Sequence, residues 1–178
     1  MRALIVLMSV SLSVLLTACS NPRQEVTVQL ANDVLLPAHQ QWRDSNAALV
    51  DAVEAYCAAP QASVEDLETA FYQAQSRWSH LQPLMVGPLS EGNRSWQVQF
   101  WPDKRNMVVR QTESLLDETD SLTGEQLEKA SVVVQGLTAF EYVLFDQSVA
   151  LAENHDRYCP LLTGIARHQL ALSESVLT

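Results

Sequence analysis

Apolar residues recur at three- and four-residue steps along most of this 178-residue chain, and this spacing constrains the fold more than any other feature. There are only five glycines, and no pair of alternating apolar segments is joined by a tight turn. We therefore predict an all-α fold, an up-and-down helical bundle. The predicted helices cover residues 31–58, 63–81, 104–117 and 123–145, with a last helix that starts near residue 156.

One segment interrupts this helical pattern. Residues 82–102 contain three prolines, two glycines and the aromatic residues Trp96, Phe100 and Trp101. Long irregular segments are uncommon inside compact domains, and those that occur are usually functional. We expect a bundle with one long irregular segment that contributes to a functional site.

The first eighteen residues are typical of a secretory signal, with one positive charge at Arg2, an apolar run and a small residue before Cys19. The run is shorter than the roughly 20 residues that a membrane-spanning helix needs. The sequence Leu-Thr-Ala-Cys at its end resembles the lipobox of bacterial lipoproteins. This resemblance implies cleavage before Cys19, acylation of Cys19 and stable anchoring by two or more acyl chains. Residues 19–30 then form a tether, and residues 31–178 form the domain.

The net charge indicates what kind of partner to expect, and the residue after Cys19 indicates in which membrane the lipoprotein is anchored. Loss of the signal peptide changes the formal net charge from −10 to −11, because Arg2 is removed. So acidic a chain repels phosphate backbones, which argues against a nucleic-acid partner but is compatible with cations or proteins. The residue after Cys19 is Ser20, not the Asp that commonly retains lipoproteins at the inner membrane. We expect the periplasmic face of the outer membrane, within the bacterial cell envelope.

Apart from the acylated Cys19, the mature chain has two cysteines, Cys57 and Cys159. An even number in an oxidising compartment favours a disulfide, which would join the end of the first predicted helix to the start of the last. Two buried free thiols are the alternative.

Glu141 lies in a stretch, residues 130–145, that is apolar on every side and typical of a buried central helix. On the predicted helix it shares a stripe with Val134, Thr138 and Phe145. A buried carboxylate is expected to be protonated, paired with a cation or bound to metal. The candidate cations are Arg94, Lys104, Arg105 and Arg110. Gly136 is expected to let another backbone approach.

The four histidines are far apart in sequence and show no metal-ligand spacing. His39 is predicted to face inward beside Trp42 as a core residue. His80 and His155 fall near predicted helix ends, where solvation is expected.

Residues 99–106 and 134–145 resemble the imelysin-like family of bacterial envelope proteins, and residues 36–38, 57–60 and 82–88 match it as well. This resemblance implies an exported, mostly helical protein built as two bundle-like halves, of which this chain covers roughly the first. The family includes a proposed metallopeptidase and proteins tied to iron uptake.

The family's signature is Gly-x-His-x-x-Glu, in which His and Glu share a helix face and can reach one metal ion. Gly136 and Glu141 match it, but Thr138 stands at the His position and its hydroxyl is a poor ligand for zinc or iron. The resemblance implies a divalent metal or iron at Glu141, in a site shaped by Gly136, Trp101, Asp103, Arg105 and Arg94.

We therefore expect a non-catalytic, periplasm-facing lipoprotein that binds a metal ion, in connection with iron acquisition, or a partner protein of the envelope. One alternative is a metal-dependent peptidase, which needs at least three protein ligands and an open position on the metal. Another is a structural bundle in which Glu141 pairs with Arg105 or Arg94 and no ligand binds.

Overall fold

The computed structural model describes residues 22–59, 61–119 and 122–177, and within these ranges the chain is helical and contains no strand. The all-α prediction is confirmed. The predicted signal peptide and acylated Cys19 lie outside the described residues. Within those residues, every helix is too short or too polar to cross a lipid bilayer.

The chain divides into two compact units after Pro37. In the first unit, helix α1 (Pro22–Leu30) is followed by a π-helical turn (Ala31–Leu35). The predicted tether is thus helical over its described part.

The second unit is a bundle of seven helices over its described residues, three of them long. They are α2 (Leu36–Ala58, which begins just before the boundary), α3 (Glu65–Leu81), α4 (Arg94–Val98), α5 (Met107–Asp117), α6 (Gly124–Lys129), α7 (Leu137–Phe145) and α8 (His155–Ser175). Short 3-10 turns at Gln82–Leu84, Gly87–Ser90 and Val132–Val134 lie between them. The predicted irregular segment therefore consists largely of short helical turns.

Large aromatic side chains form the centre of this bundle. Trp42 of α2 and Trp78 of α3 are fully buried, with ring centroids 5.7 Å apart. Phe71 of α3 stacks on Phe140 of α7 at 5.5 Å. His39 is buried on α2, as predicted. Such large rings contribute much of the buried apolar area that stabilises a domain of this size.

The disulfide between Cys57 and Cys159 is present and confirms the prediction. Its Cα atoms lie 5.6 Å apart, and it joins the last turn of α2 to the beginning of α8.

The predicted continuous helix over residues 123–145 is wrong. Its start is correct, because Thr123 and Gln126 form a capping box, but α6 ends at Lys129 and α7 begins only at Leu137. The Gln135 side-chain amide donates to three carbonyls at the end of α6, those of Leu127, Glu128 and Ala130, each at 3.0 Å. These bonds satisfy carbonyls that a continuing helix would otherwise have used.

Gly136 lies at the end of this break and confirms the predicted close approach. A Cβ atom there would come within 2.6 Å of the Val98 carbonyl oxygen and 2.7 Å of the Gln97 carbonyl oxygen. Only glycine fits against the backbone of α4 at this distance.

Gln169 of α8 is fully buried and joins three other parts of the bundle. Its side-chain amide donates to the carbonyls of Gln97 at 2.8 Å and Gln135 at 3.0 Å. Its own backbone carbonyl accepts from the Asn46 side chain at 3.2 Å. Each bond satisfies a polar group in the interior, where an unpaired group is costly.

Candidate functional site

Glu141 is exposed, so the predicted burial of this carboxylate is wrong. The break before Leu137 sets a new helical phase, which buries Leu137, Phe140 and Val143 and turns Glu141 outward. Among the described residues, the Glu141 carboxylate has no hydrogen-bond or ion-pair partner. Burial of this carboxylate therefore gives no reason to expect a bound ion at Glu141.

Thr138, at the motif His position, is half-buried, and its hydroxyl donates to the Phe100 carbonyl at 3.3 Å. This bond uses the hydroxyl proton to hold the segment before α5 against α7. In this structure Thr138 has a positioning role, one that its side chain suits better than metal ligation.

The predicted cationic partners of Glu141 have other contacts or face solvent. Arg94 donates to the Pro88 carbonyl at 3.1 Å, and Arg110 contacts the Met107 sulfur at 3.5 Å. Lys104 and Arg105 are exposed. The Glu–Arg pair of the structural alternative is thus not formed.

Asp103 caps the start of α5. Its carboxylate accepts backbone N–H bonds from Met107 at 2.8 Å, Val108 at 2.9 Å and Arg105 at 3.3 Å. Desolvation raises the pKa of this carboxyl, but the three N–H bonds and the Arg110 charge outweigh that effect and hold it below its usual value. Asp103 lies before the N-cap residue Asn106, and its carboxylate stabilises the start of α5 by accepting the N–H groups of the first turn.

A closed charge cluster links α5, α7 and α8. Glu113 accepts hydrogen bonds from the hydroxyls of Tyr142 and Tyr158, each at 2.9 Å, and from Arg157 at 2.9 Å. Arg157 also donates to Asp117 at 2.8 Å. Burial, and then the bond to Glu113, raises the pKa of Tyr142, so its hydroxyl keeps its proton. Because the carboxylate oxygens of Glu113 already accept bonds from other residues of the protein, the cluster has a structural role.

Glu141→Gln is expected to leave stability unchanged within about 0.5 kcal/mol, because surface substitutions without partners usually do. The matched substitution Glu113→Gln should cost about 1–3 kcal/mol, since it disturbs bonds to a charged group. Urea unfolding of both variants, followed by circular dichroism, makes the comparison. A large loss for Glu141→Gln would show that this carboxylate has a partner after all.

Three aromatic residues close together in the sequence, Trp96, Phe100 and Trp101, include two strongly exposed rings, and we call this set the tryptophan edge. Trp101 is 75% exposed and Trp96 is 56% exposed, although both are large and apolar. The Trp96 ring meets the half-buried Phe100 ring edge-on at 5.7 Å. Such rings in water are typical of binding surfaces rather than of folded cores.

The backbone under the tryptophan edge is firmly held. The side-chain oxygen of Gln99 accepts bonds from Trp78 and Gln82, each at 3.0 Å. The Thr138 and Asp103 bonds hold the segment at either side of Trp101. Residues 94–110 contain four Lys or Arg and one Asp, a local charge of +3 in a chain of −10.

His155 is buried beside the disulfide, so its predicted solvation is wrong. Helix α8 begins at His155 itself, which puts this residue one turn before Cys159 and on the same face. Its Nε2 lies 3.5 Å from the Cys159 sulfur and 3.3 Å from the Tyr56 carbonyl oxygen. The four-residue spacing of His155 and Cys159 is visible in the sequence and could have found this pair.

A groove of about 560 Å³ opens beside the disulfide, between α6 and α8. We call it the α6–α8 groove. Its walls include both cysteines, His155, Glu128, Arg167 and His168. The Nε2 atom of His168 is buried and has no hydrogen-bond partner among the described residues.

Acidification below pH 6.5 should destabilise the protein partly through His168. Burial lowers the pKa of His168 from its ordinary 6.5, opposed in part by the Glu128 charge. Below pH 6.5 the unfolded chain therefore binds this proton more readily than the folded chain, so stability falls as pH falls. His168→Gln should flatten this decline in the free energy of unfolding, measured at about pH 7.5 and about pH 5, on either side of 6.5. His80→Gln, at an exposed site, is the control and should leave the slope unchanged.

Comparison with known proteins places this arrangement in a family. The model of the imelysin family, peptidase family M75, matches residues 35–178. The chain belongs to the imelysin family. The resemblance found in the sequence is thereby confirmed, and the match includes the tryptophan edge, α7 and the disulfide.

An imelysin-like protein from Psychrobacter arcticum 273-4, known from its crystal structure, has the same fold. The two agree with a TM-score of 0.74 at 21% sequence identity, over 84% of this chain and 47% of that one. This imelysin chain thus spans about half the length of its structural relative. No curated protein sequence matches this chain.

Proposed function

We propose that this imelysin-family protein is a non-catalytic lipoprotein that binds a protein partner through the tryptophan edge. In this proposal, acylated Cys19 anchors it to the periplasmic face of the bacterial outer membrane. The signal-like residues 1–18 and the lipobox resemblance support the anchor. The exposure of Trp101 on a fixed backbone is the observation that carries the binding role.

The ligand chemistry around Glu141 argues against the peptidase alternative. A catalytic metal needs at least three protein ligands and an open position. Among the described residues, the one group of three metal-ligating side chains close enough to share an ion is Cys57, His155 and Cys159. Glu141 is not part of it, and Thr138 bonds elsewhere. A partner-binding role needs none of these ligands.

A metal ion at Glu141, linked to iron acquisition, is the remaining alternative from the family resemblance. Titration of the protein with ferrous, ferric and zinc ions, with Glu141→Gln as the control, tests it. Saturable binding that the substitution abolishes would favour this alternative. Binding indifferent to the substitution would remove it.

The partner's chemistry follows from the surface that it would cover. Trp96 and Trp101 offer apolar rings to be buried, and the local charge of +3 around them favours an acidic face. We propose an acidic protein of the cell envelope as the partner.

Photo-crosslinking in the full lipid-anchored chain tests this proposal. A photoreactive amino acid at position 101 should crosslink to one acidic protein of the envelope. The same amino acid at position 72 is the control. Tyr72 is also exposed (57%), but it lies on α3 and packs beside Phe145 rather than belonging to the segment that carries Trp96 and Trp101. Trp96→Ala combined with Trp101→Ala should abolish co-isolation of that protein without lowering the melting temperature.

Two results would contradict the proposal. One is the absence of any crosslink from position 101. The other is an equal crosslink from position 72, which would indicate random contact rather than a binding surface.

A further inference from the structure

We propose that Cys57, Cys159 and His155 form a Zn²⁺ site when their disulfide is reduced. The disulfide and the metal are then alternative ways to join α2 to α8. This inference rests on residues remote in sequence from the tryptophan edge and does not depend on the proposed partner.

The three ligand atoms are already close to each other. The two Sγ atoms and a His155 ring nitrogen all lie within 4.8 Å of one another. Zinc binds thiolate at about 2.3 Å and imidazole at about 2.0 Å, so tetrahedral ligand atoms are roughly 3.5 Å apart. The separation of His155 Nε2 and Cys159 Sγ is 3.5 Å.

Reduction would leave this frame almost intact. The Cα atoms of Cys57 and Cys159 are 5.6 Å apart, a distance at which side-chain rotation can part the two sulfurs by the amount that zinc requires. His155 and Cys159 are both buried on one face of α8, so helix geometry fixes their relative position. Only the Cys57 side chain belongs to another element.

The His155 ring can present a lone pair to the ion. Its Nδ1 lies 3.1 Å from the Asp156 carboxylate, and a proton on Nδ1 would leave Nε2 free to ligate. The Tyr56 carbonyl, 3.3 Å from Nε2, favours the opposite tautomer. Zinc binding at Nε2 would replace that longer contact.

The α6–α8 groove gives the ion a path and a fourth ligand. Cys57, Cys159 and His155 all line the groove, so a water molecule can complete the tetrahedron. Thiolate and imidazole are the ligands that zinc prefers, and the acidic chain attracts cations.

The chemistry balances with a dithiol as the reductant. The dithiol attacks the Cys57–Cys159 bond, transfers two electrons and becomes a disulfide itself, while two thiols form on the protein. Zinc then displaces the two thiol protons and binds the thiolates. Oxidation by a disulfide would release the ion.

Cobalt titration tests this site, because Co²⁺ replaces Zn²⁺ and bound thiolates give it a charge-transfer absorption. The sample is the full chain in detergent with Cys19→Ser, so that Cys57 and Cys159 are its only thiols. The reduced chain should bind one Co²⁺, which Zn²⁺ then displaces, and the oxidised chain should bind none. His155→Ala should weaken binding at least tenfold. His80→Ala, the same substitution at an exposed histidine outside the site, should not.

Circular dichroism shows whether the reduced chain and its variants remain helical, and His155→Gln is a second variant with less change in volume. The proposal is overturned if oxidised and reduced chains bind Co²⁺ equally. It is also overturned if both His155 variants bind as tightly as the parent, or if the reduced chain unfolds and metal does not restore its helices. Trp96→Ala with Trp101→Ala should leave Co²⁺ affinity unchanged, which separates this test from the partner proposal.

Discussion

Replacement of both Cys57 and Cys159 by alanine should lower the free energy of unfolding by about 4–5 kcal/mol, in metal-free buffer. The cystine spans 102 residues, so its loss frees a long loop in the unfolded chain. It also releases the end of α2 from the start of α8. Urea unfolding followed by circular dichroism measures the change.

Chemical reduction of the parent protein is the matched control for that substitution. It breaks the same bond but keeps both sulfur atoms, so it separates the effect of the link from that of lost side-chain volume. We expect reduction to account for most of the loss. If reduced and oxidised protein unfold at the same urea concentration, the link contributes nothing to stability.

Gly136→Ala should destabilise the fold by about 3 kcal/mol or more, at the upper end for overpacking. The added methyl group would lie 2.6 Å from the Val98 carbonyl oxygen and 2.9 Å from the Val98 carbonyl carbon. Both are backbone atoms, so no side-chain rotation can relieve the contact, and α4 must move away from the start of α7.

Gly124→Ala is the control for this prediction. A Cβ at Gly124 would meet no atom within 4 Å, and the residue begins α6. Alanine there should be neutral or stabilising by up to about 1 kcal/mol. Thermal unfolding of both variants gives the comparison, and a Gly136→Ala melting temperature equal to that of Gly124→Ala would disprove the close contact.

Local sequence signals predicted much of this fold. Helical periodicity gave the all-α class and the long helices, and the Thr123–Gln126 pair marked the start of α6. The even cysteine count led to the Cys57–Cys159 bond. Each of these depends on residues near one another in sequence or on simple pairing.

The candidate site was predicted less well, because its geometry depends on a tertiary contact. The Gln135 side chain ends α6, and the close approach of α4 places Gly136 in an extended conformation. Periodicity cannot show either effect, so the helix was extended through the break and Glu141 was placed on the wrong face. His155 was missed for a smaller reason, since an error of one residue at a helix start moved it from helix to loop.

Gln169 has a consequence for how the bundle assembles. If α8 slid by one residue, its side chains would rotate by about 100° around the helix axis, and the Gln169 amide would leave the carbonyls of Gln97 and Gln135. Those carbonyls would then lose their donors inside the bundle. The Gln169 amide thus forms both hydrogen bonds in a single rotational setting of the last helix. It disfavours misdocked arrangements that apolar packing alone would tolerate.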